Sequence, residues 1–224
     1  MIDSFAPLVA ACVAFVGTHF ALSHPFRARL VSLLGNNGFL LFYSLVALGT
    51  LGWMAVEFRG LSAPELGGTG DIGWAVSSVL TLVALVLFLG SLRGNPALPA
   101  PDAKIAATKE PRGVFRVTRH PMMWGFSLWA LAHIVMWWSW RTNIVALTIL
   151  VLALVGAHLQ DRKKAVLMGE AWRGWEAKTS YWPRWGALFS AGWVLWLVAT
   201  VAWLAITYGH IHAAGAPAGL WRWL

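Results

Sequence analysis

Residues 72–92 read IGWAVSSVLTLVALVLFLGSL. No ionised residue interrupts them, and the inner run 79–89, VLTLVALVLFL, shows no alternation of polar and apolar side chains. A strand of a membrane barrel would need that alternation. Roughly 20 apolar residues suffice for a helix to cross a hydrocarbon core about 30 Å thick. Within lipid, such a segment satisfies its own backbone N–H and C=O groups only as a helix. The stretch therefore reads as a transmembrane helix, and the chain repeats the pattern. Further charge-free stretches cover 4–26, 30–56, 120–140, 142–160 and 185–221. Spans are expected near 5–24, 38–57, 73–92, 121–139, 143–160 and 187–208. The resulting fold class is all-α: a polytopic bundle of six transmembrane helices forming one membrane domain over 1–224.

Composition points the same way. Of 224 residues, 58% are hydrophobic and 12% charged, with 16 Trp. A soluble domain carries about 45–50% apolar and about 25% charged residues. Disorder needs low hydrophobicity and high charge and is excluded, and one Cys excludes a disulfide scaffold. The sequence Val9-Ala10-Ala11-Cys12 fits a lipoprotein cleavage pattern. However, Asp3 stands where a positive n-region belongs, and apolar sequence continues past Cys12. Cys12 reads as a small core residue within the first span.

Charge placement orients the chain. Arg27 and Arg29 fall between spans one and two. Arg93, Lys104, Lys109, Arg112, Arg116 and Arg119 fall between three and four. Arg162, Lys163, Lys164, Arg173, Lys178 and Arg184 fall between five and six. Fourteen of the seventeen basic residues thus share one side, leaving Arg59, Arg141 and Arg222 on the other. The positive-inside rule puts the fourteen in the cytoplasm and both termini outside. The net charge of +8 then meets anionic lipid head groups. The basic loops carry no nucleic-acid-binding motif, so no nucleic-acid partner is expected. Residues 94–107, with Pro96, Pro99 and Pro101, read as an irregular connector. Residues 161–182 have helical periodicity in Val166, Trp172, Trp175 and Trp182, and read as an interfacial amphipathic helix with indoles at head-group level. Trp137, Trp138 and Trp140 mark the outer end of the fourth span.

Ionisable side chains within spans usually face a bundle interior or a site, which turns attention to the seven His. His24, His120 and His158 lie near cytoplasmic span ends, and His210 and His212 beyond the sixth span. His19 and His133 are deeper, roughly 12 Å from Arg27 and roughly 21 Å from Arg119 at 1.5 Å per residue. Two His on antiparallel spans in an apolar bundle are what a bis-histidine b-type haem requires. Hydrogen bonding across helices is the other use of such a pair. Without Cys-x-x-Cys-His, covalent haem attachment is excluded. Next, Arg116-Val117-Thr118-Arg119-His120-Pro121 leads into the fourth span. Pro121 suits a first helical turn, so Arg116, Arg119 and His120 stand at a positive helix N-terminus. They would hold a carboxylate, a phosphate or haem propionates there, or simply anchor the loop. Asp161 has two pairings open, with the neighbours of Arg162 or with the Arg116/Arg119 cluster on the same membrane face, and reads as part of the architecture.

With these residues in hand, the chain resembles the NnrU family of bacterial integral membrane proteins. That family is related to the 15-cis-zeta-carotene isomerase of plants and cyanobacteria. The resemblance lies in Thr18-His19-Phe20-Ala21-Leu22-Ser23 running to Arg27. It continues in Arg116-Val117-Thr118-Arg119-His120-Pro121 through Gly125, Trp129 and Ala132-His133, then in Asp161-Arg162, Gly169-Glu170, Thr179-Ser180 and Pro183. It implies a haem b held by His19 and His133, with Arg116, Arg119 and His120 at the cytoplasmic mouth. It also implies cis–trans isomerisation of a lipophilic polyene or a redox or accessory role in nitrite and nitric oxide metabolism, in the bacterial inner membrane. The isomerase carries a Cys three residues before its second His, proposed as an alternative axial ligand; here that residue is Ala130. A more distant similarity is to isoprenylcysteine carboxyl methyltransferases, which implies S-adenosylmethionine at the cytoplasmic face. Trp124, Trp172 and Trp175 stand there where Tyr is usual. The partners implied are the bilayer and a small lipophilic or anionic ligand.

Overall fold

The computed structural model describes residues 4–62 and 65–224. The fold is all-α, and among the described residues the one strand-like feature is an isolated bridge between Glu65 and Ser139. Helix α1 covers Ala6–Ser23 and α2 Arg27–Gly60. Helix α3 covers Gly70–Gly90, and the short α4 Ala103–Thr108. Then come α5 at Pro121–Met136, α6 at Trp140–Met168, α7 at Glu170–Lys178 and α8 at Trp193–Ala214. Single 3₁₀ turns cover Gly113–Arg116, Trp185–Ala191 and Gly219–Arg222. Helices α1, α2, α3, α6 and α8 are long and apolar enough to cross a membrane. The chain is a multi-pass membrane protein.

The expected fourth span is shorter than the others, at 16 residues or about 24 Å. Pro121 starts it, and Trp137 in the left-handed region (φ 52°) stops it. It is also the best covered of the apolar helices, with Trp124, Gly125, Ser127, Leu128, Ala130 and Ala132 buried. The packing order α2, α1, α6, α5, α3, α8 follows from the neighbouring pairs. Helix α5 thus has α3 on one flank and α6 on the other. Close approach of α3 and α5 depends on Gly125, where a Cβ would lie 2.8 Å from the Ala84 carbonyl oxygen. In α2, Gly35 (φ 69°, ψ 173°) breaks the helix, so the part after it corresponds to the expected span at 38–57.

Three expectations are revised. The sixth span begins at Trp193 instead of 187, because 185–191 form a 3₁₀ turn ended by Gly192 at φ 88°. The connector at 94–107 is partly ordered by α4 and by bonds from α6. Gln160 Nε2 donates to the Ala97 carbonyl at 2.9 Å, and Lys164 Nζ to that of Pro96 at 2.9 Å. Finally, residues 161–168 continue α6, and the amphipathic helix is the separate α7. Its Trp172 and Trp175 are fully buried and pack with Val114, Phe115 and Val117, not among head groups. Trp182 is exposed, as expected. Cys12 is buried with Leu8, Ala11 and Phe15 in the core between α1, α2 and α6.

Candidate functional site

A cavity of about 290 Å³ opens beside α3, with α5 and α8 as its two walls. Helix α3 contributes Trp74, Ser77, Ser78 and Thr81; α5 contributes Trp129 and His133; α8 contributes Trp203, Thr207 and His210. Phe126 and Trp129 at its edge are more than a third exposed, so the slot opens onto the outer surface of the bundle. Gly219 also lines it and packs closely on α8, where a Cβ would lie 2.9 Å from the Trp203 ring.

The polar atoms of the slot are committed in one direction. The Ser77 hydroxyl donates to the Ala132 carbonyl, Ser78 to Trp74 and Thr81 to Ser77, each at 2.8 Å. Thr207 donates to the Trp203 carbonyl at 2.7 Å. His133 Nδ1 lies 2.8 Å from the Trp129 carbonyl oxygen, and His210 Nδ1 3.1 Å from that of Ala216. A carbonyl only accepts, so each Nδ1 carries the proton and each Nε2 keeps its lone pair. The Thr81 and Thr207 oxygens also accept, from Trp203 Nε1 at 2.9 Å and Trp221 Nε1 at 3.2 Å, so the acceptors left to an occupant are chiefly the two imidazole Nε2 atoms.

His19 has the same internal arrangement. Its Nδ1 donates to the Phe15 carbonyl at 2.7 Å, and its ring sits 4.4 Å from that of Phe15 and 5.4 Å from Tyr43 on α2. However, the structure does not bring His19 and His133 together. His19 does not line the slot, and α6 packs between α1 and α5. The depths differ as well. Phe20 meets α6 at Gly156, and His120 meets it at Asp161, so Ser23 and Pro121 are near one level. His19 is four residues from that level and His133 twelve, an axial offset of roughly 12 Å.

At the basic end of the bundle, the motif around His120 forms a brace. Arg119 grips Asp161 through Nε at 3.0 Å and Nη2 at 2.6 Å, and His120 Nε2 bonds the same carboxylate at 2.7 Å. Of the two pairings open to Asp161, the structure takes the one with Arg119, while Arg116 is exposed. Arg119 and His120 are accordingly spent on a carboxylate of the chain, not held open for a ligand's anion. They stand roughly 18 Å along α5 from His133 and do not rim its slot. The segment is also laced to residues 180–184. Arg119 N–H donates to the Ser180 carbonyl, Arg184 N–H to that of Val117 and the Thr118 hydroxyl to that of Tyr181, each at 2.8 Å. Trp124 Nε1 donates to the Tyr181 carbonyl at 2.9 Å. Burial, and next the Asp161 carboxylate, push the Tyr181 phenol up, against the opposing pull of Arg119. His120 Nδ1, Trp172 Nε1 and Trp175 Nε1 are buried here without a hydrogen-bond partner. Of the residues that resemble a methyltransferase motif, Arg119 and His120 hold Asp161, Trp172 and Trp175 fill the core, and Glu170 pairs with Arg173 on the surface.

The side chain that sequence reasoning missed is His210. Counting apolar residues starts the sixth span near 187 and leaves His210 outside it. The helix that starts after Gly192 carries His210 within α8 and onto the slot. Gly192 after a Pro183-containing segment is the signal that could have found it.

Neither the curated proteins nor the solved structures yield a match to the chain. One family model matches, that of the NnrU protein, over residues 7–218. The match takes in all six apolar helices, the slot and the Asp161 brace, and the chain belongs to the NnrU family.

Proposed function

We propose that this NnrU-family membrane protein binds haem b within the bilayer, where the His133 imidazole on the wall of the slot would hold it. It would act in the bacterial cytoplasmic membrane, as a haem-dependent isomerase of a lipophilic substrate or as a redox or accessory protein of nitrite and nitric oxide metabolism. One observation carries the reading: His133 has its Nδ1–H tied to a carbonyl and its Nε2 free in an aromatic, apolar cavity. Such an Nδ1–H···O=C bond fixes the tautomer and ring orientation of a ligating imidazole and raises its basicity. The apolar lining excludes water, and the back-bonded hydroxyls remove competing donors. When bound, haem would supply an iron centre whose potential its protein ligand and the surrounding dielectric set. Ala130 is fully buried and has no ligating atom, so exchange of an axial ligand at that position is closed to this chain.

The test is the spectrum of purified protein expressed with a haem supply. The reduced protein should show Soret, α and β bands, and His133→Ala should lose most of them. A wild-type protein without those bands, even after incubation with haemin, overturns the reading. Heat on titration with S-adenosylmethionine would instead support a methyltransferase, and co-purification of a partner without either ligand an accessory factor.

A further inference from the structure

Of the fourteen basic residues at one end of the bundle, four are withdrawn from solvent: Arg27, Arg119, Lys163 and Lys164. Arg119 has the Asp161 carboxylate. The other three gather in one cluster at the far side of α6 from the slot. Helices α1 and α6 both finish at this end, and Phe20 meets α6 at Gly156. Lys163 is two turns further along the same face of α6, beside the turn that carries the chain from α1 into α2. Arg27 opens α2 at that turn. Along a straight helix, Arg27 and Phe39 would stand roughly 18 Å apart. Across the break at Gly35 the Arg27 guanidinium instead lies over the Phe39 ring at 5.5 Å, which holds it against the bundle. The charges of Arg27 and Lys163 act on each other and on Lys164, and that of Lys163 reaches His24 in the turn.

Lys164 Nζ donates to the Pro96 and Leu98 carbonyls, which satisfy its hydrogens without cancelling its charge. Among the described residues, no carboxylate pairs with Arg27, Lys163 or Lys164. Cations withdrawn from water and set side by side cost free energy until an anion joins them. The surroundings select the anion. Phe26 in the turn, and Leu33 and Leu34 on the helical segment before Gly35, are exposed. Apolar surface thus flanks the cations at the level where head groups give way to acyl chains.

We propose that Arg27, Lys163 and Lys164 form a binding site for the phosphate of an acidic phospholipid, whose acyl chains lie along the exposed start of α2. A guanidinium presents paired N–H donors to phosphate oxygens, and an ammonium a compact charge. Basic pockets between helices on the cytoplasmic side suit such head groups. The exposed cations of this end meet lipid as a diffuse field, whereas this cluster is a defined seat. It shares no residue with the slot and is independent of what occupies that cavity.

The test is the unfolding midpoint of the full chain in neutral detergent, titrated with dioleoylphosphatidylglycerol, dioleoylphosphatidylcholine or inorganic phosphate. Phosphatidylglycerol should raise the midpoint, and the other two should not at the same concentration. Arg27→Gln and Lys163→Gln should each raise the phosphatidylglycerol concentration required by about fivefold or more. Arg93→Gln, which removes an exposed cation at the same end, should leave that concentration unchanged. Lys163→Glu supplies the missing carboxylate beside Arg27. It should raise the midpoint of the lipid-free protein and abolish the response to lipid, which separates loss of the site from loss of the fold. No response to phosphatidylglycerol, an equal response to phosphatidylcholine, or an equal loss in Arg93→Gln overturns the site. So does a lipid-free midpoint lowered by Lys163→Glu. A response to inorganic phosphate equal to that to phosphatidylglycerol overturns the lipid and puts the ligand in solution.

Discussion

Removing the Asp161 carboxylate takes the hydrogen-bonded partner from two groups at once, the Arg119 guanidinium bonded at 2.6 Å and the His120 ring bonded at 2.7 Å, and leaves Arg119 only the more distant Glu176 carboxylate at 3.8 Å. The His120 side chain has no exposed surface and Arg119 little, so neither recovers full solvation in the folded state. Breaking a buried pair by deleting one partner costs about 3–5 kcal/mol, because it leaves a charge uncompensated. Asp161→Ala is therefore expected to lower the unfolding midpoint in detergent strongly, and Asp161→Asn nearly as much. Glu170→Ala should leave the midpoint in place, since its partner Arg173 is well exposed. Equal midpoints for Asp161→Ala and Glu170→Ala would show that the brace does not hold the basic end. That Asp161 pairs with a cation was legible in the sequence, because acids are few on the side where fourteen basic residues gather; the sequence leaves open whether it takes a neighbour of Arg162 or the Arg116/Arg119 cluster. The involvement of His120 was not legible. Charge placement reveals which groups need partners, and only the path of the backbone decides which partner each one takes.

Element boundaries show a similar division. The six apolar helices could be read from runs without charge, since the bilayer sets a length that composition must meet. Their registers could not, because an apolar run longer than one span leaves the helix free to start at several places. The run at 185–221 is the example: Gly192 at φ 88° selects the start of α8 and thereby the depth of His210. The indoles of α7 were misjudged for a related reason, as amphipathic periodicity does not say whether the apolar face meets lipid or protein. How closely helices approach is likewise set by particular residues. A methyl group at Gly125 would meet the Ala84 carbonyl oxygen at 2.8 Å and the Phe88 nitrogen at 3.3 Å, both backbone atoms that cannot swing aside. Overpacking of this kind costs about 1–3 kcal/mol. Gly125→Ala should thus lower the midpoint and, by moving α5 away from α3, weaken whatever binds in the slot. Gly209→Ala on α8, with open space around its Cβ, should raise helix propensity by up to about 1 kcal/mol and leave binding alone. If Gly125→Ala matches Gly209→Ala in stability, the close α3–α5 contact is not limiting.

Across the whole molecule, fourteen of the seventeen basic residues gather at the end where α1, α3 and α6 finish and α2, α5 and α8 begin. Two of the three at the opposite end are already engaged. Arg141 donates to the Leu61 carbonyl at 2.7 Å and lies over the Phe58 ring, while Arg222 pairs with Asp71 at 3.1 Å and lies over Trp74. At the basic end Arg119, Arg173 and Lys178 are paired with carboxylates and Lys164 with carbonyls, which still leaves most of the free positive charge there. Because loop Lys and Arg set orientation, the basic end, with its Asp161 brace and α7, should face the cytoplasm. The slot and its two His should then lie nearer the outer leaflet. Single cysteines in a Cys12→Ser background test this with a membrane-impermeant maleimide on intact cells stripped of any outer membrane. Cys12 is buried in the α1 core, and Ser is close to it in size, so the background variant should fold. Lys109→Cys, in the exposed loop after α4, should react only after lysis. Glu65→Cys, between α2 and α3, should react on intact cells. Because both positions are exposed in the fold, a difference between them reports the side of the membrane and not local burial. The reverse pattern would turn the chain over and place the slot at the cytoplasmic leaflet, where a ligand delivered from the cytoplasm would reach it without crossing the bilayer.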